Sequence, residues 1–121
     1  MHITKTGFIL KTENYQACID FYSHVIGLKC TSEKIEGDFK MSTFDFSDSY
    51  LLIETHGQAS STGKKDVDTN PFVMRFNVSD IQDTLVHLQT HDVNTEYFDF
   101  DWGKIIMVFD PDGNRVEFME K

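Results

Sequence analysis

The feature that most restricts the fold is an internal repeat. A shift of 66 residues lays Asn14 on Asp80, Tyr15 on Ile81, Ile19 on Leu85 and Tyr22 on Leu88, so a helix cap and its apolar stripe recur together. Recurrence at a fixed period marks one supersecondary unit used twice. Each copy reads strand, helix, strand, strand, strand. A single unit cannot bury both faces of its own sheet, so the two are expected to pair within one domain. The expected fold class is α+β: two βαβββ repeats forming curved mixed sheets around a cleft.

The first repeat covers about residues 1–57. Residues 3–11 read as a strand with Phe8 and Leu10 on one face. Asn14 offers an N-cap, and Tyr15, Cys18, Ile19, Tyr22, Val25 and Ile26 form the stripe of an amphipathic helix that Gly27 ends. A short strand follows at 28–32 and a turn around Gly37. Strands at 39–46 and 50–55 are joined by Ser47-Asp48-Ser49. Residues 58–70, polar and glycine-containing, read as a linker.

The second repeat, 71–121, opens with a strand from Pro71 to Val78. Ser79 with Gln82 spells a capping box for a helix bearing Ile81, Thr84, Leu85 and Leu88, which His91-Asp92 closes. Strands are expected at 95–98, 104–109 and 115–119, with the turn Asp110-Pro111-Asp112-Gly113 before the last.

The composition sets bounds. With 121 residues, of which 40 % are apolar, the chain can bury one core without disulfides or a structural metal. Its net charge is −9 and its longest basic run is Lys64-Lys65, so neither nucleic acid nor an anionic membrane is an expected partner. Met1 to Lys5 lack the blocks of a signal peptide, and no apolar stretch approaches the roughly twenty residues of a membrane span. Cys18 and Cys30 show no metal-type spacing, which suits a reducing compartment, with the cytoplasm as the expected location.

Two segments carry a resemblance. Phe21-Tyr22-x-x-x-Ile26-Gly27-Leu28 is similar to the F-Y-x-x-x-L-G segment of the vicinal oxygen chelate superfamily, which holds glyoxalases, bleomycin-resistance proteins and extradiol dioxygenases. Asp110-Pro111-Asp112-Gly113-Asn114-Arg115-Val116-Glu117-Phe118 resembles that superfamily's C-terminal hairpin. With the repeated βαβββ order, the resemblance spans the chain.

The resemblance implies one metal ligand from each of the first, fourth, fifth and eighth strands. Those positions fall on Gly7, Leu52, Val73 and Glu117. Three of the four offer no donor atom, and one carboxylate with water cannot hold a transition metal against cellular competition. No metal and no cofactor are therefore expected. A displaced set, Glu54 and His56 with Glu117, is the alternative.

Strand alternation sorts Phe8, Leu10, Met74, Phe76, Val116 and Phe118 toward the helices. Ile9, Tyr50, Leu52, Glu54, Val73, Arg75, Asn77, Arg115, Glu117 and Met119 then face the cleft. From these, Ile9, Tyr50, Leu52, Arg75, Asn77 and Glu117 are candidate ligand-binding residues. Trp102, in Asp99-Phe100-Asp101-Trp102-Gly103, joins them, since the resemblance places ligand-stacking aromatics ahead of the final hairpin. Plainer roles stand beside these: Arg75 pairing only with Glu117, and Trp102 covering a sheet edge. No nucleophile signature or phosphate loop occurs, so no catalytic residue is assigned.

The expected function is a metal-free small-molecule binding or sequestering protein resembling the bleomycin-resistance branch, its ligand a flat aromatic or cationic compound. The alternatives are a glyoxalase-like metal-dependent lyase, isomerase or dioxygenase with displaced ligands, and a small-ligand sensor. Two-repeat chains of the superfamily are commonly homodimers, and an open sheet leaves apolar surface uncovered. A symmetric dimer is accordingly predicted; a light-scattering mass equal to one chain at micromolar concentration would contradict it.

Overall fold

The computed structural model describes residues 1–58 and 70–120. The chain divides into two compact units, Met1–Ala59 and Ser60–Lys121. The linker expected at 58–70 lies almost wholly outside the described residues. Each unit is a four-stranded mixed sheet with a helix packed on one face. No helix among the described residues is long and apolar enough to cross a membrane.

In the first unit, β1 (Thr6–Lys11), β2 (Lys29–Glu36), β3 (Phe39–Phe46) and β4 (Ser49–Glu54) take the order β1-β4-β3-β2, with β1 parallel to β4 and the other pairs antiparallel. The second repeats this with β5 (Met74–Asn77), β6 (Glu96–Phe100), β7 (Gly103–Phe109) and β8 (Arg115–Glu120), in the order β5-β8-β7-β6. Parallel strands need a crossover, and the helices supply it.

The first helix, α1, covers Tyr15–Asp20 and then widens into a π-helical turn, Phe21–Val25. The Ile26 N–H reaches the Phe21 carbonyl, five residues back, at 2.9 Å. The widened turn lets Phe21 join Cys18 and Tyr22 among the buried residues. Gly27, at φ +88°, then reverses the chain, and the Leu28 N–H closes onto the Tyr22 carbonyl at 2.9 Å.

The second helix, α2 (Ile81–Thr90), takes the cap that the repeat lays on Asn14 and not the Ser79 of the expected capping box. Asp80, not Ser79, occupies the N-cap, and its carboxylate accepts from the Gln82 and Asp83 N–H groups, each at 3.0 Å. Asn14 makes no side-chain cap bond to α1; its own N–H donates to Thr12 Oγ1 at 2.8 Å.

Edge strands depart most from expectation. β2 extends to Glu36 rather than stopping at residue 32, and β6 covers 96–100 rather than 95–98; both are exposed along their length. With no buried face, β2 shows no alternation by which its length could be recognised. β5 begins at Met74, so Pro71 and Val73 precede it. Phe8, assigned to the helix side, shares that side with Leu51 by register yet remains 44 % exposed on edge strand β1.

On the helix faces the buried residues include Cys18, Tyr22, Phe44, Leu51 and Ile53 in the first unit and Ile81, Leu88, Ile106, Val108 and Val116 in the second, where Ile105, Met107 and Met119 are buried on the other face of the sheet. At the mouth of the first unit, Thr12 is fully buried; its N–H donates to the Glu54 carbonyl at 2.9 Å and its carbonyl accepts from Gly57 at 3.4 Å. Gly57 lies so close that a Cβ there would stand 2.1 Å from the Lys11 carbonyl carbon. Backbone cannot yield as a side-chain tip can. Gly57→Ala is expected to cost about 2–3 kcal/mol, the upper part of the overpacking range. An unchanged urea midpoint would contradict that.

Candidate functional site

In the second unit, β5 and β8 set Arg75 opposite Glu117 and Asn77 opposite Met119. β7 adds Met107 opposite Glu117, Ile105 opposite Met119 and Phe109 opposite Arg115. Paired residues share a face of the sheet. This face is therefore the one away from Phe76, Val116, Phe118, Ile106 and Val108, and on it Ile105, Met107 and Met119 are buried while Arg75 and Asn77 are exposed.

Glu117 is the centre of the charged group. Arg75 donates to Glu117 Oε2 twice, from Nε at 3.0 Å and Nη2 at 2.9 Å. Among the described residues Arg75 Nη1 reaches only a weak acceptor, Met119 Sδ, at 3.3 Å. On the other side, Arg115 Nη2 stands 3.9 Å from Glu117 Oε1, within ion-pair range but beyond a hydrogen bond. Arg115 Nε is buried with no hydrogen-bond partner among the described residues. The Arg75–Glu117 pair weighed in the sequence is thus present, and Arg115 makes it a three-member group.

An open pocket of about 450 Å³ lies against this group, lined by Arg75, Asn77, Val78 and Met119. That volume falls within the range of small-molecule sites, and the lining mixes two polar and two apolar side chains.

Across the same face runs a row of aromatic rings. Phe98 pairs with Ile105 and Phe100 with Gly103, which puts both rings on the Glu117 side. Phe98 stacks on Phe100 with centroids 5.7 Å apart and planes 4° apart, and Phe100 on Trp102 at 5.0 Å and 8°. Exposures of 38 %, 43 % and 55 % leave all three available to a ligand. Trp102 was singled out from the sequence and its two partners were not, although Phe98-x-Phe100-x-Trp102 has the period-two spacing of one strand face. Trp102 does not line the pocket. β6 and β5 are opposite edges of the sheet, three strand spacings or about 14 Å apart. Asp99, in the same segment as Trp102, pairs in register with Lys104 and so stands on the helix side.

The first unit repeats the register with other chemistry. Ile9 opposite Leu52 takes the place that Arg75 opposite Glu117 takes in the second. Ile9 is 63 % exposed, an apolar counterpart to the charged pair. Beside it, the Tyr50 ring lies across Gly7: a Cβ at Gly7 would fall 2.0 Å from Tyr50 Cζ. An aromatic ring covering a glycine on a neighbouring edge strand fills the space that a side chain would occupy. Lys5 Nζ approaches the same ring at 5.5 Å from its centroid and Asp45 at 3.4 Å.

These residues do not fit the metal site that the resemblance implies. Gly7, Leu52 and Val73 have no donor, and Glu117 is engaged by Arg75. Of the displaced set, Glu54 pairs with Lys11 at 3.0 Å, while His56 stacks on Phe39 and stands 3.8 Å from Asp38. Among the described residues no three His, Cys, Asp or Glu side chains group closely enough to hold a metal ion.

Comparison with known proteins bears on the whole chain. Residues 2–118 match the family described as the Glyoxalase/Bleomycin resistance protein/Dioxygenase superfamily. Three solved structures are similar. A glyoxalase family protein from Enterococcus faecalis is 22 % identical with a TM-score of 0.71, covering 98 % of this chain and 97 % of its own. An antibiotic binding protein from Streptomyces sp. CB03234 is 17 % identical with a TM-score of 0.71, covering 98 % and 93 %. Lactoylglutathione lyase from Agrobacterium tumefaciens is 19 % identical with a TM-score of 0.70, covering 95 % and 91 %. Identities this low establish the shared fold. No curated protein is similar enough in sequence to count as a match.

The close fit of Tyr50 over Gly7 can be tested by a double-mutant cycle. Gly7→Ala should destabilise by about 1–3 kcal/mol in the native background, and by much less when Tyr50→Ala has removed the ring. Equal costs in both backgrounds would show that the ring is not what excludes a side chain there.

Proposed function

We propose, for a chain that belongs to the Glyoxalase/Bleomycin resistance protein/Dioxygenase superfamily, a metal-free role: it binds and sequesters a small organic molecule. The observation that carries this reading is the pair Gly7 and Tyr50, in which an aromatic ring takes the space of a first-strand metal ligand. Leu52 and Val73 continue the replacement of donors by apolar side chains. A metal-dependent lyase, isomerase or dioxygenase would need a donor set, and the described residues do not assemble one.

What remains on the sheet faces suits binding. In the second unit, Arg75, Asn77 and Glu117 supply oriented polar groups beside an apolar wall, and Trp102 heads a stack of rings. In the first, Ile9, Tyr50 and Leu52 supply apolar and aromatic surface. Flat aromatic compounds match such surfaces because stacking needs only a π-face. The structural likeness to an antibiotic binding protein supports the same direction.

The test has two parts. Protein purified without chelators should carry no stoichiometric Zn, Ni, Mn or Fe, and about one metal per chain by elemental analysis would overturn the metal-free reading. Trp102 is the only tryptophan, so a flat aromatic ligand should quench its fluorescence saturably. Trp102→Ala should then weaken binding by about 1–3 kcal/mol, the scale of one aromatic contact. A large fall in melting temperature with unchanged affinity would instead assign Trp102 to structure alone.

A further inference from the structure

The protein carries a net charge of −9, yet Arg75, which lines the pocket beside β5, belongs to a group of two guanidiniums and one carboxylate. Glu117 spends one oxygen on Arg75 Nε and Nη2 and turns the other toward Arg115. One carboxylate cannot neutralise two arginines, so the group holds a local charge near +1. Among the described strand residues, the other carboxylate on this sheet face is Glu96, opposite Met107 on β7. From Arg75 it is separated by two intervening strands, about 14 Å, which exceeds the screening length of about 8 Å at physiological ionic strength.

Hydrogen-bonding capacity points the same way. The strong bonds of Arg75 go to Glu117 and hold its plane, leaving Nη1, among the described residues, with only the Met119 thioether at 3.3 Å. Asn77, two residues along the same strand face, lines the same pocket and is exposed. A guanidinium edge and an amide therefore stand side by side above an apolar wall of Val78 and Met119. A carboxylate gains more from a guanidinium edge than a neutral acceptor does, since a charge-assisted bond is about twice as strong. A cationic group would meet repulsion from Arg75.

Building on the binding role proposed above, we infer that the pocket formed by Arg75, Asn77, Val78 and Met119 takes the acidic group of an aromatic carboxylate. Arg75 Nη1 and the Asn77 amide donate to the carboxylate, and Val78 with Met119 covers the adjoining apolar part. Glu117 acts as a positioning residue: it holds the guanidinium plane so that Nη1 faces the pocket. Arg115 keeps the group cationic after Glu117 is counted.

The experiment uses matched triads on one skeleton: benzoic, naphthoic and indole carboxylic acids, each with its primary amide and its aminomethyl counterpart. Binding to the full chain is followed by amide NMR, with the Asn77 side-chain signal as the local reporter. The acids should bind at least tenfold more tightly than the amides, and that margin should shrink as sodium chloride is raised. Arg75→Gln should remove the margin by weakening the acids far more than the amides; Asn77→Ala, an exposed and conservative change, should reduce it and move the acid's shifts. Amides that bind as well as the acids, or aminomethyl compounds that bind better, would overturn the inference and leave the binding role standing. An acid preference that survives Arg75→Gln would also overturn it. Absence of binding by every member of every triad would overturn both.

Discussion

When the first strand of each unit lies parallel to the fourth, the neighbours of every side chain on the sheet are decided. Gly7 falls beside Tyr50, Ile9 beside Leu52, Arg75 beside Glu117 and Asn77 beside Met119. A slip of one residue would send Arg75 to the helix side and bring Phe76 into the open. The core forbids it: Phe76 stacks on Phe118 at 5.9 Å, and Val116 is fully buried. The helix is tied to the same strand, since the Ile81 N–H donates to Glu120 Oε1 at 2.7 Å. The arrangement of the polar face is thus a consequence of apolar packing on the other face.

The two units use one register for different ends. At equivalent positions the first has an aliphatic pair and the second an ion pair. The ion pair is not built for stability. Both Arg75 bonds converge on a single oxygen of Glu117, without the parallel fork that gives arginine–carboxylate pairs their strength. The Arg75 side chain is also 42 % exposed, so screening limits the pair to about 1 kcal/mol or less. An aliphatic pair at that register, as in the first unit, folds as well. A weak, oriented and under-satisfied guanidinium contributes more to recognition than to the fold.

Legibility in the sequence followed burial. The apolar stripes of both helices, the limits of β3, and the Asp110–Gly113 turn were readable because each rests on a local signal: periodicity, alternation, or a glycine at positive φ. The widened turn at Phe21–Val25 was not, since one extra residue in a turn leaves the apolar spacing almost unchanged. The length of β2 was missed because an exposed strand needs no pattern, and that of β6 although Phe98 and Phe100 already alternate. The cap moved from Ser79 to Asp80 because either residue can cap and only the start of the helix decides between them. At the site, the Arg75–Glu117 neighbourhood followed from alternation and the repeat. The ring of Tyr50 over Gly7 depends on a rotamer, and the stack on β6 on the true end of an edge strand.

That stack also answers a problem every edge strand poses. Unpaired backbone groups on an exposed strand invite another chain to pair with them, and three part-exposed aromatic rings would add to the attraction. In β6 and the turn after it the rings of Phe98, Phe100 and Trp102 lie nearly parallel, within 4° and 8° of their neighbours, so each covers part of the next. Glu96 on the ring face and Asp99 on the helix face set a carboxylate on either side of the strand. Charge on both faces opposes addition of a second strand while the ring edges and outer planes remain open. An apolar surface meant for a small flat molecule can then be displayed at an edge, because the charges that discourage pairing lie along the strand and the stacking surface stands above it.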